Sequence, residues 1–164
     1  METSSEIYFY SHKDEFGYMS NFFPIEFVNE NGIKFNCSEQ YLMYYKSKLF
    51  DSENNQILQQ ILNEKSPTKI KKLGRMVKNY NEQIWSQSRY QVMLNALRLK
   101  FNQNEIIKNK LIQTYPKMLY EASPSDNIWG IGFSANIAIT KNKSNFGTNL
   151  LGNVLVQIRN DLLT

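Results

Sequence analysis

Residues 25–50 read IEFVNENGIKFNCSEQYLMYYKSKLF. Ile25-Glu26-Phe27-Val28 and Ile33-Lys34-Phe35 flank Asn31-Gly32, the signal for a β-hairpin closed by a type I′ turn, because Asn and Gly tolerate positive φ. Ser38 then suits the cap of a helix running to Phe50, with Glu39 in the first turn where the dipole favours an acid. A hairpin passing straight into a helix marks the α+β class. Glu39 and Lys46 lie seven residues apart, and seven steps of about 100° bring them back to one face. Along the axis they are roughly 10 Å apart, too far for an ion pair but suited to gripping two ends of one ligand. Dipole complementarity alone also accounts for both residues.

Working outward, Ile7 to Tyr10 has strand character. Asp51 is the expected cap of a second helix carrying Ile57, Leu58, Ile61 and Leu62 as its apolar stripe. Ser66-Pro67 opens a third, since Pro fits the first helical position. Trp85 to Phe101 is the longest periodic run, and Glu105 to Tyr115 is a shorter helix closed by Pro116. Met118 to Ala122 returns to strand character, Ile137 to Thr140 is predicted as one more strand, and Asn149 to Leu163 as an amphipathic final helix. The expected architecture is one domain over residues 1–164, mostly helical with a small antiparallel β-sheet.

Bulk composition narrows the chemistry mainly by exclusion. The chain has 164 residues, a net charge of +4 and 13% aromatic residues. A mild positive excess favours phosphorylated or polyanionic ligands. The single Cys37 forms no internal disulfide and fits a reducing compartment. One histidine, His12, is too few for the zinc sites of base deaminases and argues against a Ser-His-Asp triad. No metal and no organic cofactor is expected. No apolar run approaches the roughly 20 residues of a membrane span, and the polar start is unlike a signal peptide, so a cytoplasmic protein is expected. No obligate protein partner is evident.

A second stretch, Glu121-Ala-Ser-Pro-Ser-Asp126-Asn-Ile-Trp129-Gly130-Ile-Gly132, sets two carboxylates and a large aromatic beside a glycine turn. Trp129 offers a ring to a heterocyclic base, and the glycines allow close backbone approach; a buried Trp closing a core fits the same residues. Gly74-Arg75 offers a positive fork for phosphate, or an ordinary surface ion pair. Trp85, Arg89, Met93 and Lys100 read first as a packing seam, and Ser20-Asn21-Phe22-Phe23 as a polar pair leading into an aromatic pair.

Taken in chain order, Tyr18-Met19-Ser20-Asn21-Phe22, Ser38-Glu39-Gln40-Tyr41 with Lys46, Gly74-Arg75, Trp85 with Arg89, Lys100-Phe101, Glu121 with Asp126, Trp129, Gly130 and Gly132, and Asn149 with Leu151-Gly152 resemble the YbiA/NADAR family. The resemblance runs from about Phe9 to Arg159. It implies an N-glycosidase that cuts a ribosyl–heterocycle bond without a cofactor. The substrate it implies is ADP-ribosylated guanine in nucleic acid or a related ADP-ribosyl compound. Ribosylaminopyrimidine phosphates of riboflavin biosynthesis are the alternative, and a non-catalytic ADP-ribose reader the second alternative. Under this resemblance Glu39, Lys46 and Asp126 are the expected catalytic residues. Ser20, Asn21, Phe22, Arg75, Trp85, Glu121, Trp129, Gly130, Gly132 and Asn149 are the expected substrate contacts.

Overall fold

A computed structural model describes all 164 residues. In chain order its elements are β1 (Glu6–Phe9), β2 (Phe27–Val28), β3 (Lys34–Phe35), α1 (Ser38–Phe50), α2 (Asn55–Asn63), α3 (Pro67–Arg75), α4 (Glu82–Asn102), α5 (Glu105–Gln113), β4 (Met118–Glu121), α6 (Ala135–Ala138) and α7 (Leu150–Leu163). Seven helices beside four short strands make the chain α+β. Two compact units share the sequence: Asn21–Gln103, and Met1–Ser20 together with Asn104–Thr164.

The Asn21–Gln103 unit begins with the expected antiparallel hairpin, in which Phe27 pairs with Phe35 and Val28 with Lys34. Its turn differs from type I′, because only Gly32 takes positive φ, at 75°. Asn29 organises the loop instead: its Oδ1 accepts from Asn31 N at 3.1 Å and Ile33 N at 2.9 Å. An Asx-type side chain has replaced a second left-handed residue. Phe27, Phe35, Tyr41 and Tyr44 then build an aromatic core, with Phe35 edge-on to Tyr41 at 5.0 Å and to Tyr44 at 5.4 Å. Such edge-to-face pairs add about 0.5–1.5 kcal/mol beyond area burial.

Helix α1 packs against α2, α3 and α4. Its cap position is Cys37, in extended backbone, and Ser38 is already the first helical residue with its Oγ bonded to nothing. Asp51 ends α1 rather than starting α2. Its Oδ2 accepts from Asn54 Nδ2 at 3.0 Å and Lys78 N at 3.2 Å, while Asn54 caps α2 through Ile57 N. Ser66 precedes Pro67 at the start of α3, as predicted. Helix α4 starts earlier than Trp85, because the Asn81 side chain caps it at Ile84 N.

In the other unit β1 and β4 pair in parallel, Tyr8 beside Tyr120, so the β-structure is an antiparallel hairpin plus a parallel pair. The segment expected as a strand at Ile137–Thr140 belongs instead to a short helix at Ala135–Ala138. Ser134 O accepts from Ala138 N at 2.8 Å and from Ile137 N at 3.1 Å. Only Ala138 of that segment is buried, so no partner strand rewards the alternation of Ile137 and Ile139. Tyr8, Ala122, Ile131 and Ala138 form the buried cluster of this unit. No helix in the chain is long and apolar enough to cross a membrane.

Candidate active site

Within the Asn21–Gln103 unit, one face of α1 collects the polar groups that a packed core ordinarily excludes. Glu39 is 6% exposed and its backbone N–H donates to Asn21 O at 3.0 Å. Asn21 is itself buried, and its side-chain Oδ1 has no hydrogen-bond partner. A buried acceptor left open beside a buried carboxylate is expensive unless something else fills it, and sites that bind ligands are where such groups persist. One helical turn pair further on, Lys46 is half-buried. Burial pushes its amine below the ordinary lysine value of 10.5, with Glu39 opposing and Arg75 reinforcing that shift.

Lys46 rests its ammonium on the ring of Tyr80, 4.5 Å from the centroid. The Tyr80 hydroxyl donates to Glu82 Oε2, and Glu82 Oε1 accepts from Arg89 Nη1 at 2.9 Å. Burial and the Glu82 carboxylate push the Tyr80 hydroxyl up to about 12. Arg75, at the exposed end of α3, reaches this region because the helix before it lies unusually close to α1. A Cβ on Gly74 would collide with the Met43 thioether, so any larger residue there requires the Met43 side chain to move. Phe22 lies under Lys71 at 6.0 Å, and Trp85 is buried edge-on to Phe50 at 6.3 Å, a core position rather than an open ligand surface.

Gln40 anchors the start of α1. Its amide nitrogen donates to Ile61 O, Leu62 O and Glu64 O at 2.9, 3.1 and 3.0 Å, and its Oε1 accepts from Asn36 N at 2.8 Å. The backbone beside Glu39 is thereby tied to the end of α2. Lys100, on α4, is fully buried near the rings of Phe23 and Phe101, at 5.7 and 5.3 Å. Desolvation lowers its amine to about 7, and the neighbouring Cys37 thiol is pushed up to about 11 by its own burial.

The other unit holds the remaining predicted residues. Asp126 Oδ1 accepts from Ile128 N and Trp129 N, both at 2.9 Å, so the carboxylate shapes the turn that carries Trp129. Gly132 takes φ of 77° and its N–H donates to Asp126 O at 3.0 Å, a conformation that side chains seldom adopt. Gly130 N and O frame the same turn, with its O accepting from Asn149 N. Asn149, in left-handed backbone, has both ends of its amide engaged on β4: Oδ1 accepts from Glu121 N at 3.0 Å and Nδ2 donates to Leu119 O at 2.9 Å. Glu121 is half-buried on β4, and Ser20 is buried at the end of a 3-10 turn.

The structure therefore gathers Glu39, Lys46, Asn21 and Arg75 around one helix face, and Asp126, Trp129, Gly130 and Gly132 in one turn. Gln40, Tyr80, Glu82 and Arg89 are the residues of this surround that spacing did not single out for the site. The Gln40 side chain belonged to a noted motif without a role, and Arg89 read as packing. Nothing in the local pattern marks Tyr80 or Glu82.

Helix α1 thus sets a buried carboxylate, Glu39, and a half-buried amine, Lys46, on one face, with the charge of Arg75 acting on the amine. The NADAR domain profile matches residues 8–163, and the chain belongs to that family. It is 37% identical over 169 residues to an N-glycosidase of Acanthamoeba polyphaga mimivirus, covering 98% of each chain. It is 33% identical over 166 residues to the chloroplastic riboflavin biosynthesis protein PYRR of Zea mays, of which it spans 25%. The NMR structure of the E. coli protein YbiA shares its fold at a TM-score of 0.78 and 29% identity, covering 99% of this chain and 88% of that one. The chain is accordingly an N-glycosidase.

Proposed function

We propose that Glu39 and Lys46 carry the reaction, and that the substrate is a ribosyl-linked heterocycle bearing phosphate, foremost the ADP-ribose of ADP-ribosylated guanine. The observation that supports this reading is the buried Glu39 on the helix face that also bears Lys46, its backbone N–H bonded to Asn21, a buried residue whose Oδ1 is unpartnered. In the direct route the C1′–N electron pair leaves with the base, which takes a proton from Glu39. Water adds to C1′ and returns its proton to the Glu39 carboxylate. In the covalent route the neutral Lys46 amine bonds to C1′ as the base leaves with the C1′–N pair and a proton from Glu39. The Glu39 carboxylate takes a proton from the attached nitrogen and passes it to the ring oxygen as the sugar opens to an imine, and water adds to C1′ to release the sugar and the free amine. The lowered basicity of Lys46 raises its share of neutral, nucleophilic amine relative to an ordinary lysine. Arg75 and the exposed lysines of α3, Lys69, Lys71 and Lys72, supply positive charge suited to a pyrophosphate or a polymer backbone.

Hydrolysis of ribosylaminopyrimidine phosphates is the second reading, favoured by the similarity to a riboflavin biosynthesis protein. Mass spectrometry of released base separates the two, using ADP-ribosylated-guanine DNA and ribosylaminopyrimidine phosphates with the protein, Glu39→Gln and Lys46→Ala. Release from one substrate that drops by about 10²–10⁴ in Glu39→Gln names the branch and supports the acid role. A borohydride-trapped adduct lost in Lys46→Ala supports the covalent route. Undiminished release in both variants refutes the assignment of residues.

A further inference from the structure

Tyr80 is more than a neighbour of Lys46, because three independent restraints hold its ring where it is. Glu82 accepts its hydroxyl and is in turn fixed by Arg89 Nη1. Phe50 meets the ring edge-on at 5.5 Å. The chain leading into it is pinned to the end of α1, with Lys78 N donating to Asp51 Oδ2 at 3.2 Å and Asn79 Nδ2 to Phe50 O at 3.3 Å, and Asn79 in left-handed backbone at φ 58°. A residue that is 45% exposed has no packing need for so many restraints. We propose that Tyr80, braced by Glu82 and Arg89, is a positioning residue that parks the protonated Lys46 side chain on its ring face and releases it when the amine becomes neutral.

The physical basis is the ring quadrupole. An ammonium is attracted to the face of an aromatic ring, and a neutral amine is not. Three charged groups and burial itself act on Lys46 from the elements packed around it. Glu39 on α1 and Glu82 on α4 favour its charge, Arg75 on α3 opposes it, and burial opposes it most. Tyr80 therefore works against burial, keeping the amine charged and out of the way in the resting protein, while the lowered basicity leaves a neutral fraction free to swing toward a ligand. The role in turnover rests on Lys46 being the site amine; the coupling between ring and amine does not.

The test is an NMR titration of the Lys46 side chain in protein labelled with 13C at lysine Cε, the resonance assigned by its loss in Lys46→Arg. Tyr80→Leu keeps apolar bulk and removes the quadrupole, and is expected to move the Lys46 midpoint about half a pH unit to the acid side. Tyr80→Phe keeps the ring and is expected to leave it near the parent value. Tyr80→Met, which also removes the ring and keeps every charge around Lys46, is expected to move the midpoint the same way and serves if Tyr80→Leu does not fold. The acid limb of the kcat/KM profile for base release shifts in parallel in Tyr80→Leu and returns in Tyr80→Phe. An unmoved or alkaline-shifted Lys46 resonance in Tyr80→Leu overturns the parking contact. A shifted resonance with an unmoved kinetic limb overturns its part in the reaction. Loss of the functional reading shows differently, as full turnover in Lys46→Ala while Tyr80→Leu still shifts the resonance of Lys46.

Discussion

Replacing Gln40 with Leu removes the side chain that joins the start of α1 to the end of α2. An amide nitrogen has two protons, so the carbonyls of Ile61, Leu62 and Glu64 share two donors, and Oε1 accepts a third bond from Asn36 N. Three bonds at about 1 kcal/mol net give a loss of about 3 kcal/mol. Gln40 is only 1% exposed, so water replaces these partners poorly and the loss lies toward the upper end of a range of about 3–5 kcal/mol. Leu is close to Gln in volume, which keeps any cavity contribution small. Urea unfolding reads the change directly. With a slope of about 2 kcal/mol/M, a loss of about 3–5 kcal/mol moves the midpoint by about 1.5–2.5 M at unchanged slope. Because Glu39 is the adjacent residue, kcat of the folded variant falls as well. A stability loss below about 1 kcal/mol, or a full loss with unaltered kcat, refutes the claim that Gln40 holds the site in register.

Gly74→Ala sets a methyl against Met43 Sδ and is expected to destabilise by about 1–3 kcal/mol despite the better helix propensity of Ala, while Met43→Ala made in the same chain recovers part of that loss. Lys100 titrates near 7 in the folded chain and near 10.5 unfolded, so between these values the unfolded chain holds the extra proton and stability falls as pH is lowered through that window. Lys100→Met is therefore expected to gain most in denaturation midpoint at roughly pH 7 and below, the gain shrinking toward roughly pH 10; a gain independent of pH contradicts the buried-amine account. Asp126→Ala frees the amides of Ile128 and Trp129 and is expected to broaden the Trp129 indole resonance, whereas Asp126→Asn, which keeps an acceptor oxygen, restores the turn.

What the chain declares locally proved readable. Asn31-Gly32 gave the hairpin, and the period of 3.6 put Glu39 and Lys46 on one face of a helix ending at Phe50. Cap positions moved wherever a competing side chain stood nearby: Asn54 took α2 from Asp51, Asn81 extended α4 ahead of Trp85, and Cys37 rather than Ser38 precedes α1. Ile137–Thr140 alternates like a strand but has no edge to join, so local carbonyls at Ser134 claimed its amides. The surround of Lys46 was not legible at all. Tyr80, Glu82 and Arg89 meet that amine through the path of the chain between α3 and α4, and a position on a helix says nothing about which distant ring comes to rest on it. The resemblance alone marks Asn149 as a substrate contact, and local pattern gave no sign that both ends of its amide engage β4, at Glu121 N and Leu119 O.

The pairing of Tyr8 with Tyr120 has a consequence for synthesis. The Asn21–Gln103 unit is one uninterrupted stretch, so all its contacts become available as soon as that stretch has left the ribosome. Strand β1 emerges before any of it and finds its partner only after β4 follows, with the whole of the other unit translated in between. Loop closure of that length is slow compared with helix and hairpin formation. The nascent chain thus holds an unpaired apolar edge, Ile7-Tyr8-Phe9, throughout most of its translation, and that edge is where a ribosome-associated chaperone would be needed most.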